Sequence, residues 1–138
     1  MANERKTEDL VEAELRRTGY FDGKIRIEKQ KSDVPRIQKL LENASKSGGS
    51  GAGKPEFIIH ALNSFPEFLV VIECKADPKK HESTQHNRFA EYAVDGVLLY
   101  ASFLSKEFDV LAIAVSGEKK TEIHQSFFFQ LKGAEKSF

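Results

Sequence analysis

The sequence predicts an α/β fold in which a mixed central sheet is flanked by helices. Two apolar runs, 57–62 and 68–76, are separated by the turn residues Asn-Ser-Phe-Pro, as in a β-hairpin. A helical pattern then leads to the nearly all-apolar run 110–115, which is typical of a strand buried on both faces. A hairpin followed by a helical crossover to a buried strand requires both antiparallel and parallel pairs in one sheet.

The N-terminal quarter predicts a helix followed by a strand. Thr7 suits an N-cap, and Val11 and Leu15 lie on a helical stripe that stops at Gly19. Residues 24–30, KIRIEKQ, alternate isoleucine with charge, which predicts a half-buried strand with its charges toward solvent.

An extra helix near 35–44 is predicted next, because Asp33 and Pro35 suit a helix start and apolar residues follow at helical spacing. The glycine- and serine-rich stretch 45–54 predicts a flexible loop. Its GGSGAGK resembles the start of a phosphate-binding P-loop. However, Pro55 stands where Ser or Thr should bind magnesium, and the glycines precede a strand rather than a helix. We interpret the stretch as a connector.

The C-terminal half predicts a helix and two strands. A polar stretch at 77–85 leads into a long helix that includes Phe89, Tyr92 and Phe103. HQSFFFQL predicts the last strand. We interpret its phenylalanines, 127–129, as core and edge residues rather than as a base-stacking platform.

Composition indicates one soluble domain spanning 1–138. The chain is 40% apolar and 30% charged, with zero net charge, which argues against binding nucleic acid by electrostatics alone. Cys74 is the single cysteine, which excludes an internal disulfide and a cysteine-based zinc site. We expect a cytoplasmic protein without membrane association, since no apolar run approaches the ~20 residues of a membrane span. Residues 24–54 carry eight Lys/Arg and three acids, which fits a local basic face or an ordinary solvated surface.

The hairpin register predicts where its carboxylates meet. If the chain folds back near Ser64, cross-strand partners have numbers summing to about 130, which puts Glu56 opposite 73–75. Glu67 lies beside the turn, six residues or roughly 20 Å from Glu73 at ~3.3 Å per residue. Glu56 can therefore share a site with Glu73, and Glu67 cannot.

Period-two alternation places Val71, Glu73 and Lys75 on one face of the second strand, so this face changes from apolar to charged. Two carboxylates beside a lysine suit a hard divalent cation such as Mg²⁺, which offsets their mutual repulsion and lowers the pKa of a bound water. The lysine can orient that water and stabilise charge on a phosphate. A surface charge pair is the alternative interpretation of Glu-x-Lys.

An acid, a spacer and Glu-x-Lys on a hairpin, between one helix and a later helix–strand unit, resembles the PD-(D/E)XK nuclease superfamily. Its restriction-endonuclease-like αβββαβ core matches the predicted order, apart from the helix at 35–44. Three stretches resemble the N-terminal nuclease domains of restriction–modification enzymes: QKSDVPRIQKLLENASKSGGSGAGKPEFII, ECKAD and YAVDGVLLYASFLSKEFDVLAIAVSGE. In those proteins the domain precedes an adenine methyltransferase or a helicase-like motor.

The resemblance implies roles for single residues. Glu56 becomes the first metal ligand, Glu73 the second and Lys75 the catalytic lysine, and the backbone carbonyl of Cys74 becomes a further ligand. The Cys74 side chain itself is interpreted as a small core residue. One departure is Glu56, because aspartate is usual at the first position.

Two more catalytic residues are implied by the resemblance. A first-helix glutamate reaches the metal shell in the family, and Glu4, Glu8 and Glu12 are the candidates. Glu8 is favoured because it shares a helical face with Leu15. Gln85 matches a glutamine that opens the helix after the Glu-x-Lys strand in related nucleases.

The histidines offer a competing interpretation. His81, His86 and Asn87 raise the alternative of a His-Asn metal nuclease, but the glycines and zinc knuckles of that fold are absent, so we interpret them as polar loop residues. His60 and His124 are interpreted as structural strand histidines.

The predicted function is a Mg²⁺-dependent endodeoxyribonuclease, with Mn²⁺ as a substitute ion, acting on double-stranded DNA. The expected partner is a methyltransferase or motor domain in the same or an associated chain, of which 1–138 would be the N-terminal part. Cutting both strands would require a homodimer or two complexes meeting on DNA. The alternatives are a structure-specific or repair nuclease of the same fold, and an inactive DNA-binding or assembly domain.

Overall fold

The computed structural model describes residues 4–17, 25–44, 53–135 and 137. The elements, in chain order, are α1 (Glu4–Arg17), β1 (Arg26–Glu28), α2 (Pro35–Leu41), β2 (Phe57–His60), β3 (Phe68–Lys75), α3 (Ala93–Leu104), β4 (Asp109–Ser116) and β5 (His124–Gln130). Short 3₁₀ turns at Pro78–Lys80 and Lys120–Glu122 follow β3 and β4.

The five strands form one mixed sheet in the order β1-β2-β3-β4-β5. Only the β3–β4 pair is parallel, and α3 provides the crossover between these two strands, while the other three pairs are antiparallel. The structure thus confirms the predicted mixed sheet flanked by helices, which is compatible with a restriction-endonuclease-like core.

The two faces of the sheet pack against different helices. On one face, Ile58 and Val71 pack with the buried residues of α2 and α3, including Leu41 and Tyr100. On the other face, a smaller apolar cluster receives side chains of α1 and β1. Its fully or nearly fully buried members are Phe57, Ile59, Ile72, Cys74 and Val115. The two faces are named the α3 face and the α1 face below.

The first helix differs from the predicted one at its start. It begins at Glu4, so Thr7 lies in its first turns and does not cap it. The Thr7 side chain is completely buried and its hydroxyl donates a 2.6 Å hydrogen bond to the Gly117 carbonyl. From sequence alone, a threonine near a helix start is interpreted as a cap. The acceptor that binds its hydroxyl instead, the Gly117 carbonyl, comes from a distant segment.

The later boundaries also shift. The helix that follows the hairpin begins at Ala93, so Phe89 and Tyr92 precede it. The extra helix begins at Pro35, as predicted, and ends at Leu41. Of the predicted loop 45–54, residues 45–52 lie outside the described residues.

Gly53 fixes the entrance to β2. Its N–H donates a 2.6 Å hydrogen bond to the Leu41 carbonyl, and a Cβ at this position would lie 2.5 Å from the Ala44 carbonyl oxygen and 2.7 Å from Tyr100 Cε1. Only glycine fits between the end of α2 and the Tyr100 side chain of α3.

In the described residues, no helix is long and apolar enough to span a bilayer.

Candidate active site at the end of the central hairpin

The hairpin register is the predicted one. Phe57 pairs with Ile72 and His60 with Leu69, so each pair of partners sums to 129. Continuing the register by one residue brings Glu56 opposite Glu73. Directly opposite residues of an antiparallel pair have Cβ atoms about 5 Å apart.

Both carboxylates belong to the α3 face and both are buried. Glu73 alternates with Ile72 and Cys74 of the α1 face, and Glu56 lies two residues before Ile58. Glu73 is completely buried and Glu56 is 8% exposed. Two carboxylates close together in a medium of low polarity each disfavour ionisation of the other.

The metal-binding atoms that Glu56 and Glu73 offer are carboxylate oxygens. Glu56 Oε2 and Glu73 Oε1 are buried and accept no hydrogen bond from the described part of the chain, although each carboxylate takes part in another interaction. No cluster of three or more His, Cys, Asp or Glu side chains suited to a metal occurs among the described residues. Mg²⁺ needs no such cluster, because it is usually held by one or two carboxylates and keeps several waters.

Lys75 lies on the same face, two residues beyond Glu73, where β3 ends. Its ammonium group donates a 3.0 Å hydrogen bond to the Ala90 carbonyl, and its side chain is half-buried. Lys75 therefore lies between the buried carboxylate and the segment that leads into α3.

The backbone of Lys75 is fixed from the other side of the sheet. Its carbonyl accepts a 2.9 Å hydrogen bond from the Gly117 N–H, and Thr7 Oγ1 lies 3.4 Å away. Thr7 thus connects α1 to the ends of β3 and β4. Sequence reasoning missed this role because nothing local distinguishes a buried helical threonine from a cap.

Helix α1, which carries Glu8 and Glu12, packs on the other face of the sheet from Glu73. Val11 and Leu15 pack on the α1 face, so Glu8, which shares their helical side, belongs to that layer and is half-buried. The Glu12 carboxylate lies 2.7 Å from Lys29 Nζ. The Glu4 side chain lies outside the described residues. The catalytic role of Glu8 stays a prediction.

Gln85 does not open a helix, since α3 begins eight residues later, at Ala93. It lies on the exposed segment between β3 and α3, where its side-chain oxygen Oε1 accepts a 3.4 Å hydrogen bond from Asn87 Nδ2. The Cys74 side chain is fully buried on the α1 face, as expected of a core residue. The ligand role of its carbonyl and the catalytic role of Gln85 stay predictions.

Glu67 is at the far end of the hairpin. It is exposed and accepts a 2.9 Å hydrogen bond from Lys132 Nζ. Glu67 is therefore separate from the buried carboxylates, as predicted from the register. Phe127 is 58% exposed, whereas Phe129 stacks on Phe68 with ring centroids 6.3 Å apart.

The segment between β3 and α3 is anchored by two groups that sequence reasoning did not select for this role. The fully buried Asp95, in the first turn of α3, accepts hydrogen bonds from the backbone and hydroxyl of Ser83 and from the Arg88 N–H. His81 bridges the hydroxyls of Ser116 and Ser126, each 2.8 Å from a ring nitrogen. Burial lowers the pKa of His81, and the neighbouring His124 lowers it further.

A further buried carboxylate lies on β1, where the sequence predicted a charge facing solvent. Glu28 is 8% exposed, lies 2.9 Å from His60 Nε2, and accepts hydrogen bonds from Ser32 Oγ and the Asp33 N–H. Burial alone would raise the pKa of Glu28, but the bonds from Ser32, Asp33 and His60 outweigh it, and the net pKa is lowered. His60 is thus part of a hydrogen-bonded cluster between β1 and β2.

Comparison with known proteins points in one direction. No protein-family profile matches the chain, and no solved structure matches it. The chain is similar to the type II restriction enzyme and methyltransferase RM.BcgI of Heyndrickxia coagulans, with 31% identity over 131 residues. The match covers 86% of this chain, which spans only 19% of that protein. The similarity supports a relationship to restriction–modification proteins and suggests a nuclease.

Proposed function

We propose that this chain is the metal-dependent DNA endonuclease domain of a restriction–modification system. The observation that carries the proposal is the hairpin register, which brings the buried Glu56 and Glu73 together with Lys75 on the same face. The similarity to a restriction enzyme and methyltransferase supports the nuclease class.

Glu56 and Glu73 would hold a Mg²⁺ ion, for which Mn²⁺ would substitute, together with the Cys74 carbonyl. Their donor set fits such an ion, since carboxylate and carbonyl oxygens are the ligands that Mg²⁺ takes in proteins. When bound, the ion would supply an activated water and neutralise charge on the phosphodiester.

Lys75 would act directly on the substrate. Its ammonium, which donates to the Ala90 carbonyl in this structure, would instead donate to a phosphate oxygen or to the attacking water when substrate is bound. The pairing of its carbonyl with Gly117 keeps the lysine in register with Glu73. Glu8 and Gln85 remain proposed contributors at the periphery.

The first experiment is cleavage of supercoiled plasmid DNA by the chain with and without Mg²⁺. The wild type should nick the plasmid only with metal, and Lys75→Ala should lower the rate by at least about 10²-fold, as expected for loss of one preorganised electrostatic group. Lys106→Ala is the matched control, because Lys106 is exposed beyond the opposite end of α3. Equal cutting by wild type and Lys75→Ala would refute the site.

The remaining parts of the proposal concern partners. A methyltransferase or motor domain, in the same or an associated chain, would supply sequence recognition, and double-strand cleavage would need two copies of the nuclease. Sequence-directed cutting that appears only in the longer protein would support the restriction role. Cutting of branched or damaged DNA by the isolated chain would favour a repair nuclease, and DNA binding without cutting would favour an inactive domain.

A further inference from the structure

A polar groove of about 400 Å³ lies along the segment between β3 and α3. Its lining includes two cations, Lys79 and Arg88, one carboxylate, Glu82, the Tyr92 ring, and side chains that carry hydroxyl or amide groups. These polar residues are Ser83, Thr84, Gln85 and Asn87. Cations, hydroxyls and amides are the side-chain groups that contact nucleic-acid phosphates.

The groove is preorganised although its walls contain no regular helix or strand from 81 to 92. Asp95 holds the backbone of Ser83 and Arg88 from below, at 3.1 Å and 2.9 Å, while the His81 carbonyl accepts a 2.8 Å hydrogen bond from the Val94 N–H. A segment fixed in this way presents its outer side chains without a large ordering cost when a ligand binds.

Ala90, whose carbonyl accepts the Lys75 hydrogen bond, lies in the chain between two residues that line the groove, Arg88 and Tyr92. Arg88 lies two residues before Ala90, and its guanidinium stacks over the Tyr92 ring at 5.4 Å. A strand whose scissile phosphate lies at Lys75 would therefore continue along this groove.

We propose that Lys79 and Arg88 bind backbone phosphates of duplex DNA next to the scissile phosphate, and so position the strand for cleavage. The inference rests on the proposed nuclease function and adds the surface that orients its substrate. Glu91 opposes this binding, because its carboxylate lies 2.5 Å from Arg88 Nη2 and 3.8 Å from Lys80 Nζ. A DNA phosphate must therefore displace the Glu91 carboxylate from Arg88, so Glu91 competes with DNA for the guanidinium group.

The test is binding of a short duplex as a function of salt, with Ca²⁺ replacing Mg²⁺ so that binding is measured rather than cleavage. The double variant Lys79→Gln/Arg88→Gln should weaken binding about equally on two unrelated sequences. It should also lower the magnitude of the log K against log [salt] slope by roughly 1.8, because each phosphate contact contributes about 0.9. Glu91→Gln should tighten binding. Unfolding temperatures should stay close to that of wild type, since the bonds to Asp95 come from backbone groups and Ser83.

The control is a double variant that also removes two positive charges, but near the hairpin turn and the C-terminal end of α3. Lys106→Gln/Lys132→Gln should leave the salt slope unchanged, because Lys132 pairs with Glu67 beside the hairpin turn. If the wild type cleaves DNA but the Lys79→Gln/Arg88→Gln variant has the same salt slope as the wild type, this inference is overturned and the nuclease proposal stands. A loss confined to one DNA sequence would overturn it in favour of base contacts. Failure of the wild type to bind or cut DNA would overturn the nuclease proposal as well.

Discussion

Strand β2 carries buried ionisable groups at both of its ends, and the two groups are built on opposite principles. At one end, His60 meets Glu28, whose two oxygens accept hydrogen bonds from Ser32 and the Asp33 backbone. At the other end, Glu56 comes opposite a second carboxylate, Glu73. Both groups lie on the α3 face, separated by Ile58.

The contrast offers a criterion for telling a structural group from a candidate ligand-binding group. A buried carboxylate surrounded by donors is stabilised in its charged form, whereas adjacent buried carboxylates oppose each other's ionisation. Folding stability alone does not favour the second arrangement, so it is a better indication of a ligand than burial itself. The Glu28 group would stabilise the protein, and the Glu56–Glu73 pair would serve the reaction.

The largest expected effect is on activity at the carboxylate pair. Glu73→Gln should reduce metal-dependent DNA nicking by about 10²-fold or more, since it removes a charge needed for the ion. The same variant should leave the unfolding temperature unchanged or raise it when metal is absent, because carboxylate repulsion is relieved. Plasmid nicking and thermal unfolding with EDTA measure the two outcomes. A large drop in stability with unchanged nicking would show that Glu73 is a structural residue, like Glu28.

The Glu28 group should behave in the opposite way. Glu28→Ala should lower the free energy of unfolding by about 3 kcal/mol, because it leaves buried groups of His60, Ser32 and Asp33 without their acceptor. The folded fraction should still cut DNA. Urea unfolding together with nicking per folded molecule tests this. Asp33→Ala is the control. Because the Asp33 side chain is 83% exposed, this variant should change the free energy of unfolding by no more than about 0.5 kcal/mol.

Gly53→Ala tests whether the approach to Glu56 is fixed. The added methyl group would meet backbone at Ala44 and the Tyr100 ring, so we expect a loss of about 1–3 kcal/mol in unfolding free energy. Displacement of the chain before β2 should also weaken Mg²⁺ binding, seen as a higher metal concentration for half-maximal nicking. An unchanged metal requirement would show that Glu56 is positioned by the sheet alone. Gly133→Ala is a control without steric contacts, although its positive φ carries its own strain.

The smallest effect concerns pH. The pKa of His81 is lowered by burial and by His124, so the unfolded chain takes up a proton that the folded chain resists. The stability that results is present above the unfolded pKa of about 6.5 and is lost as pH falls through the folded pKa. Glu28 acts in the same direction at lower pH, since its folded pKa is depressed. His81→Gln should flatten the pH dependence of the unfolding temperature just below pH 6.5, whereas an unaltered profile would contradict the assignment.

Local pattern was sufficient for the elements and for the hairpin register. The turn Asn-Ser-Phe-Pro and the two apolar runs left one pairing that buries both sets of apolar side chains, and a slip by one residue would have exposed them. The predicted register therefore put Glu56 opposite residues 73–75, and the observed pairing narrows this to Glu73. The start of α3 was predicted too early, because the turn at 89–92 contains aromatic residues that also suit a helix.

The sequence by itself determined the succession of elements along the chain, the alternation on β3 and the hairpin register that brings Glu56 opposite residues 73–75, because these depend on local periodicity and on the turn between neighbouring segments. Only the tertiary structure decided the partners of Thr7, Glu28, His81 and Asp95, since each bonds to groups on other segments. A buried polar side chain and an exposed one have the same local sequence signature. Their difference arises when distant segments pack and replace water with specific donors and acceptors.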